Sequence, residues 1–143
     1  MACPYFYPTE KLGQGRVVPM LPLPLGDAYE GLCLADRGVE FPPGETTLLE
    51  CCNLGYARRR CDRFPQPPGP DAVRFSVSSD QDGIIGIYYV VEEGHRPREH
   101  GPLDYEVKRR AFLAPHPNRI VNHQAEAYVE SYLRRKPRRP PPA

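Results

Sequence analysis

The chain has 143 residues, of which 19 are proline and 12 glycine, with 19 basic against 18 acidic side chains. A net charge of +1 excludes a global field for nucleic acid, and no apolar run approaches the ~20 residues of a membrane span. Proline and glycine together take about a fifth of the chain, against an ordinary background of about an eighth. Because each proline fixes a torsion and removes a donor, that share excludes a fold made mainly of long regular elements.

The length fits one domain. We read residues 1–136 as that domain, with a cysteine-bearing part (1–64) joined to a hairpin-plus-helix part (71–136). The start, Met1-Ala2-Cys3-Pro4-Tyr5, lacks the basic and apolar regions of a secretory signal. The expected compartment is therefore the cytoplasm, where thiols stay reduced and clustered cysteines point to metal or catalysis rather than disulfides. The excess of arginine over lysine fits the coding bias of a GC-rich bacterial genome.

In chain order, residues 1–44 read as irregular and proline-studded. The Leu/Pro alternation of 17–25 suggests an extended surface strap. Residues 45–55 read as a short helix with Glu45 at its positive end and Leu48, Leu49 and Cys52 on one face. Asn53 and Gly55 offer left-handed stops. Residues 65–70 (Pro-Gln-Pro-Pro-Gly-Pro) form a stiff connector. The alternation Val73, Phe75, Val77 predicts a strand over 72–77, and 78–83 supplies turn residues.

Residues 84–91 predict a second strand, apolar on both faces, so that each side needs a cover. Residues 96–102 read as turn-like, and 103–113 as a third strand, with a helix as the alternative. The stripe Val121, Ala125, Tyr128, Tyr132, widened by Val129 and Leu133, predicts a helix over 118–136, capped by Asn118 and ended by Pro137. A disordered basic tail, 137–143, is expected beyond it. The fold expected is α+β: a loop-rich N-terminal half, a hairpin or small antiparallel sheet, and a C-terminal helix packed on it.

Cys3, Cys33, Cys51, Cys52 and Cys61 all fall in the first 61 residues, and none in the remaining 82. Pro4 stiffens the turn after Cys3. Cys52 and Cys61 lie nine positions apart across a helix end containing Gly55. The run Arg58-Arg59-Arg60 puts positive charge next to Cys61, which favours thiolate. In a helix Cys51 and Cys52 diverge, so one is expected to ligate and the other to pack. The expected metal set is Cys3, Cys33, Cys52 and Cys61, with Cys51 as substitute for Cys52.

A sulfur-only set beside Tyr5, Phe6, Tyr7 and Phe64 favours an iron–sulfur cluster, 4Fe-4S by ligand count, serving electron transfer or an accessory role. Zinc in a structural module that mediates protein or nucleic-acid contacts is the alternative, since four thiolates also suit a tetrahedral ion. No Cys-x-x-Cys pair is present, and small buried hydrophobes would equally account for isolated cysteines.

A cysteine-dependent enzyme ranks third, with Cys61 as nucleophile and no accompanying signature. A closed four-thiolate site has no open position for Lewis-acid work, so no catalytic residue is assigned. His95 and His100 read as exposed loop residues, His116 as structural between two prolines, and His123 as solvated, with a replacement ligand among the four as a variant. Asp80 and Asp82 are explained by turn chemistry. The basic stretch Arg134–Arg139 is the one feature suited to nucleic acid, although a solvated helix end accounts for it as well. A protein redox or scaffold partner goes with the cluster reading.

Overall fold

Residues 1–13 and 23–136 are described by a computed structural model, and they form two antiparallel sheets and one long helix. β1 (Phe6–Lys11) pairs with β2 (Tyr29–Cys33). A single helical turn, α1 (Glu45–Thr47), runs on into a π-helical turn over Leu48–Cys52. β3 (Ala72–Gln81), β4 (Ile84–Glu93), β5 (Arg96–Glu106) and the short β6 (Ala111–Phe112) make a meander in sequence order. α2 (Arg119–Arg135) closes the fold. The α+β architecture expected from the pattern is the one adopted.

Several boundaries differ from the sequence reading, each for a local reason. β3 continues through the serines and Asp80, which were expected to be turn. The connection shrinks to Asp82-Gly83, both left-handed at φ 53° and 77°. Two-residue turns of that kind match the twist of the flanking strands, and a bulge between Val77 and Ser79 absorbs the extra residue.

Residues 96–102 are likewise strand, because the turn before them is only Gly94-His95. Pro97 and Pro102 are tolerated in β5 because its outer edge pairs only at Tyr105 and Glu106, with β6. The 103–113 region is split into the end of β5, a turn, and β6.

The 1–44 segment holds a strand pair that was not expected. Pro8 in β1 breaks the alternation, and the ladder steps past it with a bulge between Pro8 and Glu10. The Leu/Pro run lies outside the described residues as far as residue 22; Leu23 and Leu25, beyond it, are buried. The expected 45–55 helix ends at Cys52. The Asn53 N–H reaches back five residues to the Leu48 carbonyl at 3.0 Å, the widened turn of a π-bulge.

α2 is the shared wall of the molecule. Asn118 caps it as expected, its side chain accepting from the Ile120 and Val121 N–H groups at 2.9 and 3.1 Å. Val121, Ala125 and Val129 pack on Val73, Ile85, Ile87 and Tyr105 of the four-stranded sheet. Full burial of each large aliphatic there is worth about 1.5–3 kcal/mol.

Gln124, Ala127 and Ser131, on a second buried face, serve the N-terminal half. The Gln124 amide donates to the carbonyls of Cys3 and Phe6, both at 2.7 Å, and the Tyr29 hydroxyl donates to the Ala127 carbonyl at 2.8 Å. Arg134 and Arg135 clamp Asp27 at 2.9 and 2.8 Å. Burial works against the Asp27 charge, but these guanidinium groups outweigh it and hold the carboxyl below its usual range. The far face of β4 is open at Tyr88, while Tyr56 and Arg74 cover its end through Glu92.

Candidate functional site

All five cysteines line one cavity, with Tyr5, Phe6, Ala35, Ala57, Arg63 and Phe64 completing its wall. The space within it that water could occupy is about 20 Å³. The sulfurs arrive from four separate chain segments, and each segment is held by identifiable bonds.

Cys3 precedes β1. Ala2 forms a two-way backbone bridge with Val73, at 2.7 and 2.9 Å, and the Cys3 N–H donates to the Cys52 carbonyl at 3.2 Å. Gly55 makes this threading possible: it sits at φ +79°, and a Cβ there would lie 1.6 Å from the Met1 carbonyl oxygen. Cys33 ends β2 opposite Phe6 and exchanges two backbone bonds with Phe41, at 2.7 and 3.1 Å.

Cys51 and Cys52 close the π-helical turn, and both are buried and both reach the cavity. Asn53 locks that turn to β2. Its buried amide accepts from the Tyr29 N–H at 2.9 Å and donates to the Tyr29 and Leu48 carbonyls at 3.0 and 2.9 Å. Cys61 sits on a turn closed by its own N–H to the Ala57 carbonyl at 2.8 Å.

The five are free thiols, and the electrostatics of the cavity disfavour bare thiolates. Burial pushes the Cys3 thiol up to about 12, with neighbouring Cys33, Cys61 and Cys51 adding to the shift and a backbone hydrogen bond at Tyr5 opposing it. Burial raises Cys52 further, again reinforced by the other four cysteines. Cys51 is raised by burial and by Cys61, with Arg60 partly offsetting this. Ionised sulfur in this apolar wall therefore needs a cation to compensate it. Among the described residues, no group of three or more His, Cys, Asp or Glu side chains stands arranged to hold a metal ion. The thiols share a wall without forming a finished ligand shell.

The arginines divide differently from the sequence reading. Arg58 turns to Asp71 at 2.5 Å and to the Pro65 carbonyl, and Arg59 and Arg60 are exposed. Arg63, which the sequence reading passed over, is the basic residue in the cavity wall. It donates to Asp36 at 2.9 Å and lies over the Phe41 ring at 3.8 Å from the centroid. Its Nε is buried and, among the described residues, has no hydrogen-bond partner. An orphaned buried donor costs about 1–3 kcal/mol. In the sequence Arg63 is one arginine among sixteen, and only its place behind Cys61 hinted at this role.

None of the four histidines lines this cavity. His95 stacks on Tyr56, His123 stacks on Tyr7, and His100 bonds Tyr88. His116 is buried, with Nε2 2.6 Å from Glu99 and Nδ1 accepting from the Asn118 N–H at 2.9 Å. That pairing, ahead of a bond from Tyr89, holds the Glu99 carboxyl below its usual value.

Asp80 is a strand residue that accepts from Tyr132 and pairs with Lys136, each at 2.8 Å. Of the basic C-terminal stretch, Arg134, Arg135 and Lys136 are engaged in ion pairs, and residues from 137 onward lie outside the described ones. Among the described residues no helix is long and apolar enough to cross a membrane.

No family model matches the chain, and no curated protein or solved structure matches it either.

Proposed function

We propose that this chain is a cytoplasmic metal-binding protein that holds an iron–sulfur cluster through Cys3, Cys33, Cys52 and Cys61, with Cys51 as the substitute for Cys52. The observation that carries this reading is the meeting of five free cysteines, from four chain segments, around one cavity. The donor set fits the group: every ionisable group on the wall except Tyr5 and Arg63 is a thiol, and Tyr5, Phe6 and Phe64 supply the low-dielectric shell that tunes clusters. A bound cluster would supply one-electron transfer, and a protein redox partner would follow from that. Reduced thiols of this kind belong to a reducing compartment.

The second reading is a structural zinc ion. It is favoured by the origin of the sulfurs in loop-rich segments, which one ion would cross-link. The third, a Cys61 nucleophile, has no histidine in the cavity to act as its base.

The deciding experiment is purification without oxygen, with a visible spectrum and analysis of iron, sulfide and zinc. Iron with sulfide and broad visible absorption is the expected result. About one zinc per chain, without colour, supports the second reading. Folded protein without either metal, with a Cys61 that alkylates rapidly at neutral pH, overturns both metal readings in favour of the third.

A further inference from the structure

Arg63 combines features that the proposed site does not yet use. It is part of the wall that carries the five thiols. Its guanidinium is fixed from outside by Asp36 and by the face of Phe41, a residue itself tied by two backbone bonds to Cys33. Its Nε–H is sealed from water and has no acceptor among the described residues. A rigid donor of positive charge, held against a sulfur-lined space and lacking a partner, is complementary to a metal-bound thiolate, which carries negative charge and open lone pairs.

We propose that Arg63 is a positioning and tuning residue of the cysteine site, its Nε–H donating to one of the metal-bound sulfurs. This rests on the metal reading above. Loading the site releases thiol protons to solvent, turns neutral sulfurs into anionic acceptors, and thereby supplies the partner that Nε lacks. Arg63 then offsets part of the charge of a thiolate set, which favours metal retention and raises the reduction potential of a redox-active occupant. Lysine cannot reproduce this, because its ammonium is a point charge on a flexible stem and has no planar Nε–H.

The test uses the full chain, stripped of metal without oxygen and titrated with cobalt(II) and, separately, with zinc(II). Thiolate-to-cobalt charge-transfer absorption reads the site itself. Its absence from the wild type overturns the metal reading and this inference together. With that band present, the wild-type Arg63 Nε–H resonance, assigned by its loss in Arg63→Lys, is followed during zinc addition. It is expected to move and to exchange more slowly with water.

Arg63→Lys and Arg63→Met are expected to bind cobalt about tenfold more weakly and to shift the charge-transfer band. A resonance unmoved by zinc, or an Arg63→Lys protein with wild-type affinity and band position, overturns the role of Arg63 while leaving the metal site standing. The resonance measurement needs only wild-type protein, so it decides the matter even where Arg63→Met fails to fold.

Discussion

At Cys51 and Cys52 two neighbouring thiols reach one cavity, and their backbones explain how. In the π-helical turn that ends at Cys52, the widened winding turns successive side chains through a smaller angle than a regular helix does. Of the two, Cys52 is more strongly disfavoured as a thiolate and is electrostatically coupled to Cys3, Cys33 and Cys61. We therefore expect Cys52→Ser to lose bound metal during purification, as Cys3→Ser, Cys33→Ser and Cys61→Ser also should. Cys51→Ser should retain at least half of the wild-type content, as read by elemental analysis. The reverse order would make Cys51 the ligand.

A pH dependence follows from the same burial. In metal-free protein the unfolded chain ionises Cys3 near the ordinary 9.0, whereas the folded chain keeps its proton until about 12. Folded stability is thus fully present below pH 9 and is lost as pH rises toward 12, by up to about 1.4 kcal/mol per unit for each such thiol. Urea midpoints at rising alkaline pH should show this slope, and Cys3→Ala should flatten it.

Among the elements, α2 does the most to position the site, although none of its side chains lines the cavity. Gln124 holds the carbonyls on both sides of the Cys3 turn, and Asn118 starts the helix that carries Gln124. Replacing Asn118 with Ala removes an acceptor serving two N–H groups and should cost about 1 kcal/mol in urea unfolding. Metal content should stay near that of the wild type, since the cap lies at the far end of the chain of contacts. The β1–β2 pair matters in the same way, placing Cys33 opposite Phe6 and so beside the Cys3 turn.

For the molecule as a whole, the two halves differ in what holds them. The β3–β5 meander has long ladders and a core of Ile85, Ile87, Val91 and Tyr105 under α2. The part bearing the cysteines is mostly loop, sutured by single bonds such as those from Asn53 and Gln124. An ion bound to four of its sulfurs would add a cross-link to segments that otherwise meet through the short β1–β2 ladder, a small apolar cluster and such single bonds. Removing it with a chelator should lower the melting temperature. It should also raise amide exchange at Ala2, Cys3, Cys33 and Asn53 well before it does so at Ile85–Val91. Uniform loosening of both halves would contradict this division.

Local chemistry was enough to identify the elements whose signals are short-range. The apolar stripe and Asn118 cap of α2, the β-branched run of β4, and the grouping of cysteines before residue 62 are all written in neighbouring residues. Other features depend on groups distant in the chain. The β1–β2 pairing survives Pro8 because β1 takes an extra residue, Thr9, in a bulge against its distant partner strand. Pro97 and Pro102 sit in β5 because almost nothing pairs beyond it. The π-helical turn exists because Asn53 finds Tyr29.

The sequence by itself determined that this chain is α+β and that its thiols are concentrated at one end. Only the tertiary structure decided that all five share one cavity, that Arg58 pairs with Asp71 while Arg63 belongs to the cavity wall, and that the histidines stand elsewhere. The physical reason is that convergence of remote segments depends on the summed packing and hydrogen bonding of the whole chain, and no window of adjacent residues contains that sum.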